Sequence, residues 1–157
     1  MSRETKDQLA DELIRTAREE EAANDAFDEV AAQKLGVNPT DLRCLNILEN
    51  QGPITAGRLA ELSGLTTAAV TAVLDRLEGH GYARRVRVEQ DRRQVIVELT
   101  PLVLSRAAQI WGPLGQDATD AMKRMSIDEL KLITSHYRTI RDLHQRHIER
   151  VRDLEFD

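Results

Sequence analysis

From about residue 4 to residue 34 no glycine or proline interrupts the chain. Leu9, Leu13, Ala17, Phe27, Val30 and Ala31 recur there at helical spacing. The pattern predicts one long helix with a narrow contact stripe, because its middle is too acidic to be buried all round. Gly36, in "GVN", suits the left-handed position that ends a helix. A second helix is expected in "NPTDLRCLNILEN", with Pro39 near its start and Leu42, Leu45, Ile47 and Leu48 turned inward. Gly52 and Pro53 close it. In "ITAGRLAELSG", Thr55 is placed as an N-cap and Leu59, Ala60 and Leu62 as a packing face. After Gly64 and Leu65, Val70, Val73, Leu74 and Leu77 fall at i, i+3, i+4 and i+7, the inner face of a fourth helix that Gly79 and Gly81 end.

The period then changes. "YARRVRV" alternates, "QVIVEL" is rich in β-branched residues, and the polar "EQDRR" separates them, which predicts a β-hairpin with a basic tip. Thr100 and Pro101 are placed as N-cap and first residue of a further helix reaching about Met125, with a bend expected at Pro113. "SIDE" at 126–129 is a capping box opening a last helix. Leu130, Ile133, Tyr137, Ile140, His144, His147, Val151 and Leu154 form a heptad-like stripe along it. A solitary terminal helix has nothing to pack that stripe against. With Leu9 and Leu13 of the first helix it therefore predicts a homodimer interface.

Composition narrows the class. The 157 residues are 41% hydrophobic and 31% charged, which fits a soluble domain with a core to bury. No apolar run is long enough to span a bilayer, and the start lacks a signal-peptide core, so a cytoplasmic protein without a membrane partner is expected. A single cysteine, Cys44, excludes an internal disulfide and a multi-cysteine metal knuckle. The net charge of −5 argues against a polyanionic partner until it is divided by position. Residues 1–33 hold four basic and ten acidic side chains; residues 82–93 hold five arginines against Glu89 and Asp91. One surface would repel a polyanion and another would accept it.

Three helices followed by a basic hairpin make a winged helix-turn-helix, with "SGL" as the short glycine-containing turn. The expected fold class is mainly α with a small β-hairpin wing and long terminal dimerisation helices. Its regions would be 1–36, 37–100 and 101–157. In that arrangement the fourth helix enters the major groove of DNA. Its outer face carries Thr66, Thr67, Ala68 and Thr71, whose hydroxyls can bond to phosphates or base edges and whose methyls can touch thymine. The plainer role of Thr66 is to cap the helix, and one side chain can do both. Arg92 and Arg93 at the hairpin tip can reach a narrow minor groove, with Asp91 orienting one of them.

The run "TAGRLAELSGLTTAAVTAVLDRLEGHGYARR" followed by "DRRQVIVELTP" resembles the MarR family of winged-helix transcription regulators. The resemblance implies a homodimer on a palindromic operator, with Arg93 in the minor groove beside Asp91. It also implies that Asp75 and Arg76 are the family's "DR" pair in the DNA-contacting helix. Two departures lower the phosphate-contacting charge: Val88, Glu89 and Gln90 replace the family's usual Asp-Pro-Arg, and residue 72, often arginine, is Ala72. The resemblance further implies a repressor relieved by a small aromatic acid, for which Arg15 and Arg43 offer carboxylate partners and Trp111 a stacking surface. Surface arginines and a packing tryptophan are the commoner fate of such residues. No cofactor or metal is expected. Cys44 falls among packed leucines, and the i, i+3 pair His144 and His147, with His136 earlier on the same face, lacks a clear third ligand. An enzyme is excluded for want of a phosphate loop, a nucleophile elbow or an HExxH motif. The alternative class is a winged-helix protein-interaction module that never touches DNA.

Overall fold

The structure, a computed structural model, describes residues 5–87 and 94–155. Its elements run α1 (Lys6–Leu35), α2 (Pro39–Gln51), β1 (Ile54–Thr55), α3 (Ala56–Ser63), α4 (Thr67–Gly79), β2 (Ala83–Arg87), β3 (Val95–Leu99), α5 (Pro101–Met122) and α6 (Ile127–Arg152). The chain divides into two compact units, residues 1–110 and 111–157.

The first unit holds the core. Leu42, Cys44, Leu45 and Leu48 of α2, Leu59 of α3, and Val70, Val73, Leu74 and Leu77 of α4 are buried together with Tyr82, Ala83, Val97 and Val103. The helix ends follow local chemistry. The Asn38 side chain caps α2 at Asp41, and Thr55 caps α3 at Arg58. Gly36 and Gly64 close α1 and α3 in the left-handed region, at φ 71° and 68°. β2 and β3 pair antiparallel, with Arg84 opposite Glu98 and Val86 opposite Ile96. β1 adds a third strand on the free edge of β3, Ile54 opposite Val97. Two residues are too few to show alternation, so periodicity alone could not find it. The mainly helical fold with its small antiparallel sheet is a winged helix-turn-helix, as the hydrophobic pattern predicts.

Of α1 only Ala31, Ala32 and Leu35 are buried, and the rest of this 30-residue helix is largely exposed. Its N-terminus is closed by a capping box between Thr5 and Gln8.

In the second unit Pro113 lies inside α5, which continues to Met122, three residues short of the expected end. Ser126 and Glu129 form the capping box of α6. No residue of α6 is buried: Tyr137, Val151 and Leu154 are exposed, and Leu130 and Ile140 are half-buried. No helix among the described residues is long and apolar enough to cross a membrane.

Candidate nucleic-acid interface

Helix α4 presents two unlike faces. Val70, Val73, Leu74 and Leu77 are at most 1% exposed and bind it to the lobe. Thr66, Thr67, Ala68, Thr71, Ala72, Asp75 and Arg76 are exposed. Thr66 caps the helix by accepting from the Ala69 amide at 3.2 Å. Helix geometry leaves the Thr67 and Ala68 amides without an intrahelical acceptor, so the first turn offers N–H donors to an anion. The Thr71 hydroxyl donates back to the Thr67 carbonyl at 3.0 Å. That bond fixes its rotamer and turns a methyl and the hydroxyl's acceptor lone pairs outward.

Arg76 is held from below. Its Nε and Nη2 donate to the two carboxylate oxygens of Asp41 at 3.0 and 2.6 Å, a bidentate pair. The Asp41 side chain is 2% exposed and the Arg76 side chain 45%. The hydrogen bond to Asp41 is the main reason the Arg76 guanidinium titrates above its ordinary value. Asp41 sits in the first turn of α2, where it reads as an ordinary helix-start acid. Its partner is 35 residues away in sequence, beyond the reach of any local pattern.

Arg43 performs a related task at the helix-turn-helix turn. Its Nη2 donates to the Ser63 carbonyl at the end of α3, at 2.6 Å. Ser63, itself buried, donates to the Ala60 carbonyl and accepts from the Leu65 amide. These bonds fix the turn that sets α4 on α3.

The wing's base is less cationic than its arginine count suggests. Arg84 pairs with Glu98 across the strands at 2.5 Å. Arg85 reaches from β2 to α4, where one Nη meets Asp75 at 2.9 Å and the other meets Glu78. The Glu78 carboxylate also accepts from the Arg85 amide at 2.9 Å. Three carboxylates therefore face these two guanidiniums. Arg87 is exposed, with no carboxylate partner among the described residues. The tip, including Asp91, Arg92 and Arg93, lies outside the described residues.

Of the three effector candidates, Arg15 and Arg43 lie in the first unit and Trp111 in the second. Arg15 projects from α1, in a shallow groove lined by Asp11, Ile14, Arg18, Glu19 and Ala22 of the same helix. Arg43 is engaged with Ser63, as above. Trp111 is half-buried and opens the second unit.

Cys44 is wholly buried, and burial, followed by the charge of Asp41, pushes its thiol above the ordinary value. That environment disfavours the reactive thiolate. Among the described residues no cluster of three or more His, Cys, Asp or Glu side chains could hold a metal. His147 accepts at Nδ1 from Arg150 Nε at 2.9 Å.

Comparison with known proteins gives a consistent result. The family model described as "MarR family" matches residues 37–95, from α2 to the start of β3. An uncharacterized HTH-type transcriptional regulator of Bacillus subtilis (strain 168), YcgE, is 38% identical over 128 residues, 80% of this chain and 82% of the relative. A MarR family protein from Bacillus stearothermophilus superposes with a TM-score of 0.62 at 22% identity, covering 92% of this chain and 99% of that one. Wild-type MarR from E. coli, in its apo form, gives a TM-score of 0.56 at 22% identity, covering 82% and 96%. At such identities the two solved structures speak for the fold.

Proposed function

The chain belongs to the MarR family, and from that premise we propose that it is a homodimeric, sequence-specific transcription regulator, a repressor that leaves a palindromic operator when a small effector binds. Members of the family are DNA-binding regulators and not enzymes. The observation that carries the reading is the division of α4. A fully buried apolar seam lies beneath an exposed surface of hydroxyls and methyls, the face a major-groove helix needs.

Each lobe would set the first turn of α4 against a phosphate through the Thr67 and Ala68 amides. Thr66, Thr67, Ala68 and Thr71 then meet base edges or backbone. Arg76, held by Asp41, has Nη1 left over for a phosphate. Arg92 and Arg93 would reach the minor groove, with Asp91 placed to orient one of them. The apolar stripes of α1 and α6 would join two copies, so that two α4 helices meet successive major grooves roughly 34 Å apart. For the effector, Arg15 is the more available cation: it makes no ion pair among the described residues, whereas Arg43 would have to share its guanidinium with Ser63.

The pairing of Arg84 and Arg85 with carboxylates favours a second reading, an interaction module that does not bind DNA, because it removes two cations from the polyanion-facing count. Selecting bound sites from random duplex DNA separates the two. The regulator reading expects a palindromic consensus, and recovery of unenriched sequences would favour the interaction module.

A further inference from the structure

Tyr82 is the largest of the fully buried side chains, and its bonds join three helices. Its backbone N–H donates to the Leu77 carbonyl of α4 at 2.8 Å, and its carbonyl accepts from the Thr100 amide at the start of α5 at 3.0 Å. Its hydroxyl donates to the Leu35 carbonyl at 2.8 Å. The same hydroxyl accepts from an Nη of Arg106, in the second turn of α5, and the Arg106 guanidinium carbon lies 5.4 Å from the ring centroid. His80 stacks with the ring at 5.4 Å.

Leu35 is the last residue of α1, so its carbonyl has no acceptor role within its own helix. Tyr82 satisfies it, and the Arg106 charge polarises the hydroxyl into a stronger donor. The buried residues of α1 are Ala31, Ala32 and Leu35, all apolar. Apolar contact is non-directional and lets a helix of small residues roll or tilt, whereas a hydrogen bond carries direction. The 25 residues of α1 that precede Ala31 extend about 37 Å. A tilt of about 10° at the anchor would move the far end by about 6 Å.

We propose that Arg106, acting through the Tyr82 hydroxyl, is the positioning residue that sets the angle of α1 against the winged lobe, and thereby the spacing of the two lobes on an operator. The spacing consequence rests on the homodimeric reading above; the anchor itself does not. Arg106 touches no DNA in this role. It holds the donor that orients the helix bearing Leu9 and Leu13.

Two readouts test it. In a Cys44→Ala background, spin labels at Glu19→Cys on α1 and Gln51→Cys on α2, diluted with unlabelled chain, report the distance distribution within one protomer. Tyr82→Phe and Arg106→Met should each broaden that distribution, Arg106→Lys should restore most of its width, and the double variant should be no broader than either single one. Tyr82→Phe removes one oxygen from a site whose shape is kept, so the lobe still folds. On DNA, affinity for the full palindrome should fall about three- to tenfold, while affinity for an isolated half-site stays unchanged. Unchanged distance distributions would overturn the proposal. Equal losses on half-site and full site would also overturn it, since they mark mere loss of fold. If the wild-type chain itself showed no full-site preference, the homodimeric operator reading and the spacing consequence would fall, and the distance distribution would still decide the anchor.

Discussion

On the proposed reading, Thr71 shows how little a single side chain must do to serve as a reader. Its hydroxyl proton is committed to the Thr67 carbonyl, so only a methyl and acceptor lone pairs face outward. With that bond kept, it would accept from an adenine or cytosine amino group or touch a thymine methyl rather than donate to guanine. Thr71→Val keeps the branch and the methyl and removes the acceptor. Discrimination at one operator position should weaken by about 0.5–1.5 kcal/mol, with others unmoved. An unaltered preference profile from site selection would remove Thr71 from readout. Arg76 shows the limit of reading residues singly. The family resemblance picks it out for DNA contact, yet two of its donors hold a buried carboxylate that nothing near Asp41 in sequence announces. Counting charge along the chain likewise makes Arg84 and Arg85 look available, and only three-dimensional pairing with Glu98, Asp75 and Glu78 shows otherwise.

At the scale of elements, local signals were legible where they were local. Thr55, Thr66 and Ser126 cap the helices that their hydroxyls announce, and the 3.6-residue seam of α4 is buried residue for residue. The alternation of β2 and the β-branched run of β3 gave the hairpin, while β1 escaped because a two-residue strand exists only through its partner. The α6 capping box also yields a pH dependence. The Ser126 hydroxyl and then its backbone N–H donate to Glu129 and hold that carboxyl below its ordinary value. A depressed carboxylate contributes stability that is present above its unfolded pKa and lost as pH falls through the folded one. The first turn of α6 should therefore be protected at neutral pH and fray as pH drops below the usual Glu range. Glu129→Gln should abolish that acid-dependent step. Amide exchange at residues 126–130 measures it, and identical acid profiles for both chains would remove the capping box as its cause.

For the whole molecule, the α6 stripe leaves apolar positions exposed beside the half-buried Leu130 and Ile140. Ile133 and Tyr137 are exposed although their spacing is that of a packed seam. If two copies meet there, a twofold axis repeats each substitution across the interface. Tyr137→Asp should then weaken dimerisation by about a hundredfold or more, an unpaired charge being buried once per copy. Light scattering across a dilution series measures this, and an unshifted dimer would place the interface elsewhere. Dimerisation of that kind would in turn make the lightly charged α4 useful. With Ala72 small and Arg84 and Arg85 paired, one lobe has few cations for phosphate, and two lobes on adjoining grooves multiply modest contacts. On the proposed reading, Arg92 and Arg93 would supply the rest of the positive charge.

The most direct measurement is a fluorescence-anisotropy titration of the selected palindromic duplex beside a scrambled duplex of equal length and composition, at several salt concentrations. A homodimer reading DNA through α4 should prefer the palindrome by about a thousandfold or more, and Arg93→Ala should lower the slope of log affinity against log salt by about one per lobe. Equal affinity for the two duplexes at every salt concentration would contradict the account.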